Sequence, residues 1–358
     1  MKNIAEIDKN LDLKRNSDEG TALQYYEIPH PKFDLYGVFR DETHGFLRLP
    51  MDVAESVSPG IANLTLETSG GRVRFSTDST VVEIKVAYDG FWPFPQMALA
   101  AQVGFILLEE REKDKKYVRI LSPDYQSARG FTANTAIAGT KKMRDYILYF
   151  PLYHPVRSLS IGLETGAKVQ NGKKYKDLKP IVYYGSSITQ GACASRADNC
   201  YQGWIEKWNN IDYINMGFSG NGKGEDNMVD YLISLPCSLF VCDFNHSGIP
   251  IEDLRERHLR LYRRYRAAHP DTPILILSKT NIWEGNDNAE REKIIRGTYE
   301  SARASGDKNV YFVSGHDMFK GIDKQSLTVD GDHPNDHGFY LMAKKIYRKM
   351  IEIDEKFK

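Results

Sequence analysis

Ile181-Val182-Tyr183-Tyr184-Gly185-Ser186-Ser187-Ile188-Thr189 is the stretch whose reading decides the fold. Four apolar residues closed by a glycine and two serines describe a strand buried on both faces that ends in a tight turn. Runs of the same kind recur at Tyr213 to Met216, Leu239 to Cys242, Ile274 to Leu277 and Val310 to Val313. Between them lie stretches with helical spacing, such as Ile251 to Ala268, Asn288 to Ala304 and Asp336 to Ile353. Buried strands joined by helical crossovers predict an α/β fold over residues 180–358, a doubly wound parallel sheet of five strands.

Ligands of such a sheet bind outside the carboxyl ends of its strands, where the loops converge. The turn after the first run carries Ser187, the loop after the second carries Gly217-Phe218-Ser219-Gly220, and the loop after the third carries Asp243-Phe244-Asn245-His246. Far downstream stands Asp330-Gly331-Asp332-His333-Pro334. A serine hydroxyl attacks poorly until a histidine takes its proton and a carboxylate orients that histidine, so Ser187 and an Asp-x-x-His are the parts of an activated nucleophile. The backbone N–H groups of Ser187 and Gly220 and the side-chain amide of Asn245 would supply donors for a developing oxyanion. A glycine at 220 is expected so that the backbone can approach the reacting atoms closely. Ser186 competes with Ser187 as nucleophile, and Asp332 with Asp330 as orienting carboxylate. Arg196, shortly after the nucleophile turn, and His246, beside Asn245, are candidates for substrate binding. His316 and His337 read as structural.

Up to about residue 165 the period is two, as in Val82-Glu83-Ile84-Lys85-Val86-Ala87-Tyr88 before the turn Asp89-Gly90. Further short runs at Leu64 to Leu66, Val73 to Phe75, Gly104 to Leu108, Tyr117 to Ile120, Tyr146 to Phe150 and Leu159 to Ile161 predict an all-β antiparallel sandwich over residues 1–165. Residues 166–179 follow neither period and read as a linker.

With 358 residues the chain is long enough for two such domains. Its 48 basic and 48 acidic residues balance, giving no reason to expect nucleic acid or an acidic membrane as partner. The run Arg263-Arg264-Tyr265-Arg266 lies on a helical stretch and reads as a solvated face. No apolar stretch approaches the roughly 20 residues that span a bilayer, and the first residues lack the apolar core of a signal peptide, so the chain as written is expected in the cytoplasm unless a leader has been trimmed. Cys193, Cys200, Cys237 and Cys242 include no Cys-x-x-Cys pair and read as buried or inert thiols. Asp330-x-Asp332-His333 has the residue types of a metal site, but no second ligand cluster accompanies it in sequence, and no metal or cofactor is expected.

Taken together, Gly185-x-Ser187-Ile188-Thr189, Gly220, Asn245 and Asp330-x-x-His333 resemble, in order, the four blocks of the SGNH (GDSL-like) hydrolases. The resemblance covers residues 180–355 and implies a flavodoxin-like sheet with Ser187 as nucleophile, Asp330 and His333 completing the triad, and Ser187, Gly220 and Asn245 forming the oxyanion hole. Ser186 stands where the family usually has Asp. Phe33-Asp34-Leu35-Tyr36-Gly37 and Gly45-Phe46-Leu47-Arg48-Leu49-Pro50 resemble the jelly-roll-like domain that precedes the catalytic domain in one branch of the family. The implied substrate is a small-molecule or carbohydrate ester such as an acetylated sugar. An acyltransferase of the same fold, or a carbohydrate-binding protein with a vestigial hydrolase domain, are the alternatives.

Overall fold

The computed structural model describes residues 20–90, 92–123, 129–245, 248–280 and 287–358, together with Ile7. The chain divides into two compact units, one of residues 1–47 and 66–174, the other of residues 48–65 and 175–358.

The first unit holds the strands β1 (Leu23–Glu27), β2 (Asp34–Tyr36), β3 (Phe39–Asp41), β4 (Gly45–Leu47), β5 (Arg72–Thr77), β6 (Val81–Ala87), β7 (Phe105–Glu110), β8 (Lys115–Leu121), β9 (Gly130–Ala136), β10 (Arg144–Tyr149), β11 (Ser158–Glu164) and β12 (Val169–Asn171). They form one antiparallel sheet in the order β1-β11-β6-β9 and a second in the order β12-β5-β10-β7-β8, with β2 also on β5 and β3 paired with β4. Alternation explains the packing: Val82, Ile84 and Val86 point inward from β6, and Val73, Phe75, Phe105 and Leu107 meet them from the other sheet in one apolar core. The sandwich expected from the period of two is therefore present.

One local expectation gives way. Leu64 does not begin a strand; it ends a helix, Pro59–Leu64, in which Pro59 follows the cap Ser58, whose side chain accepts from the Ile61 N–H. Residues 166–179, read as a linker, contain the boundary between the two units, after Lys174, and also β12, which pairs with β5. Its polarity is that of a short strand at a sheet edge, with two of its three residues exposed.

The second unit is built on β13 (Ile181–Gly185), β14 (Tyr213–Gly217), β15 (Leu239–Asp243), β16 (Ile274–Leu277) and β17 (Val310–Val313). All pairings are parallel and the order is β14-β13-β15-β16-β17. Val182 and Tyr184 project into a core shared with Leu232, Leu254, Leu261, Tyr265 and Ile295 of the crossover helices. Tyr183 projects the other way, its ring 5.6 Å from Tyr201 of the helix Tyr201–Asn209, which in turn neighbours Phe339 of the helix Asp336–Ile353. Helices thus cover both faces. The strand order reverses direction at β13, and the crevice at that reversal is where Ser187 emerges.

Residues 48–65 lie within the stretch expected as part of the β domain, yet they pack with the second unit. Leu49, Ala54 and Ile61 enter its core beside Met216, Phe218 and Met228. Arg48, only 2 % exposed, donates to the carbonyls of Asn215, Gly217 and Leu64 and stacks on the Phe218 ring. It therefore pins the end of β14 just ahead of the loop that carries Gly220.

In the basic run, Tyr265 is fully buried, Arg264 pairs with Asp226 and Asp230, and Arg266 pairs with Asp307, so these cations are engaged within the fold. All four cysteines are free and buried. Among the described residues no helix is long and apolar enough to cross a membrane.

Candidate active site

The catalytic candidates come together where β13 ends. Ser187 opens the single-turn helix Ser187–Gln190, and its Oγ lies 2.8 Å from His333 Nε2. His333 Nδ1 lies 2.8 Å from Asp330 Oδ2. With the proton on Nδ1, the other ring nitrogen is free to accept from the serine hydroxyl. Ser187, not Ser186, holds this contact, and Asp330, not Asp332, holds the ring.

The loop of Asp330 is organised around its carboxylate. Oδ1 accepts the backbone N–H groups of Asp332 at 3.0 Å and His333 at 2.8 Å, while Oδ2 faces the imidazole. Partial burial works against ionisation, but these hydrogen bonds outweigh it and hold the Asp330 carboxyl below its usual pKa. Farther along, Asp336 binds back to the nucleophile side of the site. Its carboxylate accepts from the Ser195 N–H at 2.7 Å, the Asn199 amide at 2.8 Å and the Ser195 hydroxyl, tying the loop beyond Ser187 to the helix beyond His333.

Close backbone packing holds the nucleophile turn. Gly185 sits between Gly217 and Asp243 in the sheet, and a Cβ there would fall 2.2 Å from Thr189 Oγ1 and 2.6 Å from the Asp243 carbonyl oxygen. Only glycine allows that approach. The Thr189 carbonyl accepts from the side-chain amides of Gln202 at 2.6 Å and Asn215 at 2.8 Å, and Gln190 Oε1 accepts the Ser219 N–H at 2.9 Å. Asn215 thus joins the two loops that flank the reacting serine.

At Gly220 the backbone has φ +65°, a conformation that L side chains rarely adopt, and a Cβ there would meet no protein atom within 4 Å, so within the protein it is the backbone conformation that favours glycine. Asn245 is 4 % exposed, and its Nδ2 has no hydrogen-bond partner among the described residues. A buried amide donor left unpaired in this way is costly unless a ligand completes it.

A cavity of about 310 Å³ opens here, lined by Ser186, Ser187, Ile188, Ser219, Gly220, Gly248, Lys279, Asp332 and His333. Arg196 is not among these residues; it is committed to Asp198 at 3.0 Å and Asn199 at 3.2 Å, so the structure does not bring this candidate to the cavity. His246 falls outside the described residues. His316 pairs with Glu292 at 3.3 Å. A roomier hollow of about 800 Å³, lined by Tyr262, Arg266, Ser301 and Asp307, contains none of the triad.

Two site residues escaped sequence reasoning. Lys279 lines the cavity from the loop after β16 and pairs with Asp332, which explains why Asp332 is unavailable to orient His333. Its only sequence signal was its place just past the carboxyl end of a strand. Asp243, at the end of β15, accepts from Thr189 Oγ1 at 2.9 Å and Tyr201 Oη at 3.3 Å. Burial raises its pKa to about 7, against the opposing hydrogen bonds and the charge of Lys279. A carboxyl raised in the folded state keeps a proton that the unfolded chain releases between about pH 4 and pH 7, so folding stability declines as pH rises through that window. Denaturant titrations of Asp243→Asn are expected to lack this decline, differing from wild type by a few kcal/mol across the window. Equal pH slopes for the two proteins would reject the assignment.

Residues 178–352 match the model of the GDSL-like lipase/acylhydrolase family, and residues 23–169 match the model of the N-terminus of SGNH-hydrolase-type esterases. A crystal structure described as a GDSL-like lipase from Bacteroides ovatus ATCC 8483 is similar at 28% identity and a TM-score of 0.82, covering 93% of this chain and 98% of that one. The salicylyl-acyltransferase SsfX3 of a tetracycline biosynthetic pathway superposes with a TM-score of 0.74 at 19% identity, over 92% of this chain and 97% of its own. A family two carbohydrate esterase from Clostridium thermocellum in complex with cellohexaose gives a TM-score of 0.60 at 15% identity, over 79% and 92%. Below 25% identity these likenesses concern the fold. No curated protein matches the chain.

Proposed function

The chain belongs to the GDSL-like lipase/acylhydrolase family, and on that premise we propose that it is a serine hydrolase of small, polar esters, with acetylated sugars as the leading substrate class. The observation that carries the reading is the contact chain Ser187 Oγ, His333 and Asp330, with 2.8 Å at each step. Its size supports the substrate class. A cavity of about 310 Å³, at the small end for ligand sites and bordered mostly by hydroxyl, glycine and charged groups, suits an acetyl-sized acyl group on a hydroxylated alcohol better than a fatty chain.

In this mechanism His333 Nε2 takes the Ser187 proton as Oγ attacks the acyl carbon. Asp330 holds the Nδ1 proton and stabilises the imidazolium. The N–H groups of Ser187 and Gly220 and the Asn245 amide receive the oxyanion. As the tetrahedral adduct collapses, His333 returns the proton to the leaving alcohol; water then attacks the acyl-enzyme with His333 again as base. If Asn245 is one of these donors, Asn245→Ala will lower kcat about 10²- to 10³-fold in steady-state hydrolysis of a short aryl ester, with KM little changed. A kcat within threefold of wild type would remove it from the oxyanion hole.

The deciding experiment is a hydrolysis screen over acetylated sugars and aryl esters of graded chain length, run on wild type beside Ser187→Ala. Turnover confined to short acyl groups and lost in the variant is expected. Preference for long acyl chains would overturn the substrate class. Partition of the acyl group mainly to added alcohols rather than water would mark an acyltransferase.

A further inference from the structure

One thiol stands beside the triad without a part in the reaction. Cys193, Asp330 and His333 each offer a ligand atom, and these atoms all lie within 4.8 Å of one another. Cys193 follows the nucleophile turn and is 7 % exposed, whereas the His333 and Asp330 side chains are 22% and 33% exposed. Two chain segments almost 140 residues apart therefore bring a sulfur, a nitrogen and an oxygen close together, with Asp330 the most exposed of the three residues.

We propose that Cys193, Asp330 and His333 form an inhibitory site for a thiophilic divalent cation such as Zn²⁺. The ligand types are those that zinc selects, and three protein ligands leave the fourth tetrahedral position for water. A thiolate and a carboxylate together neutralise the dication. Coordination displaces the Cys193 thiol proton to solvent.

Inhibition follows from the histidine tautomer. The nitrogen facing Asp330 is Nδ1, and a metal there takes the lone pair that appears when the Nδ1 proton leaves. The neutral ring then carries its proton on Nε2, the atom that faces Ser187 Oγ. A nitrogen already bearing hydrogen cannot accept the serine proton. The metal therefore blocks the base without covering the cavity. This consequence rests on the reading of His333 as general base; the binding itself does not.

Zinc titration of the full chain against a chromophoric chelator tests binding, and initial rates of aryl ester hydrolysis at the same free zinc test inhibition. One zinc per chain is expected, with activity falling in step with occupancy and returning on addition of EDTA. Cys193→Ala and Cys193→Gly should hydrolyse ester at wild-type rate, yet bind zinc at least ~100-fold more weakly and resist inhibition by the same factor. The glycine variant guards against misfolding, because residue 193 has φ +70°, which glycine adopts without strain. Ser187→Ala should bind zinc as wild type does. That result separates the metal site from the catalytic reading, since a chain inactive on every ester could still bind zinc through Cys193. Equal zinc affinity in wild type and both Cys193 variants would overturn the proposal, as would bound zinc that leaves turnover unchanged.

Discussion

Ser187→Ala is expected to lose about 10⁴- to 10⁶-fold in kcat on a short aryl ester while keeping its fold, because the variant removes the atom that must form the acyl-enzyme. Residual turnover above the uncatalysed rate should persist, since the donors of the oxyanion hole and the binding cavity remain. The neighbouring serine supplies the contrast. Ser186 caps the short helix, and its carbonyl accepts the Gln190 N–H at 2.9 Å, a backbone duty that alanine also performs. Ser186→Ala should therefore stay within about tenfold of wild type. Mass spectrometry after brief exposure to a chromogenic acyl donor or a fluorophosphonate should find the adduct on Ser187. An adduct on Ser186, or a Ser187→Ala variant that still turns over at wild-type rate, would end the assignment.

The second unit was readable because its signals are long or repetitive. The helices Ile251–Ala268, Asn288–Ala304 and Asp336–Ile353 have the bounds that periodicity indicates, since 17 or 18 residues leave little ambiguity of period. The strands β16 and β17 likewise coincide with their apolar runs. Residues 48–65 were not readable in the same way. Helices of seven and six residues complete fewer than two turns, too short to show a period, and they interrupt a region whose signal is otherwise alternation. The triad was legible as residue types in order. What was not legible is everything set by approach in space, such as the pairing of Lys279 with Asp332, the commitment of Arg196 to Asp198, and the arrival of Cys193 beside Asp330. A side chain's partner across the chain has no local signature, so a cation near the nucleophile reads as a substrate ligand until its carboxylate is seen.

Asp330→Asn should lower kcat about 10⁴-fold with little change in melting temperature, a combination that follows from the two oxygens of Asp330 doing different things. Oδ1 holds the loop through the N–H groups of Asp332 and His333, and the carbonyl oxygen of an asparagine can take over both bonds. Oδ2 faces His333 Nδ1, where the asparagine would place an NH₂ group. An amide donor there requires Nδ1 to accept, which moves the imidazole proton to Nε2 and points it at Ser187 Oγ. The serine then faces a donor in place of a base. Asp330→Ala removes both functions and should lose a similar factor in kcat while also lowering the melting temperature, because two loop N–H groups lose their acceptor. Nuclear magnetic resonance of the imidazole nitrogens would show the tautomer directly, with Nδ1 protonated in wild type and Nε2 protonated in the asparagine variant. If Asp330→Asn keeps kcat within tenfold and the wild-type tautomer, Asp330 supports only its loop, and the orienting carboxylate must be sought elsewhere.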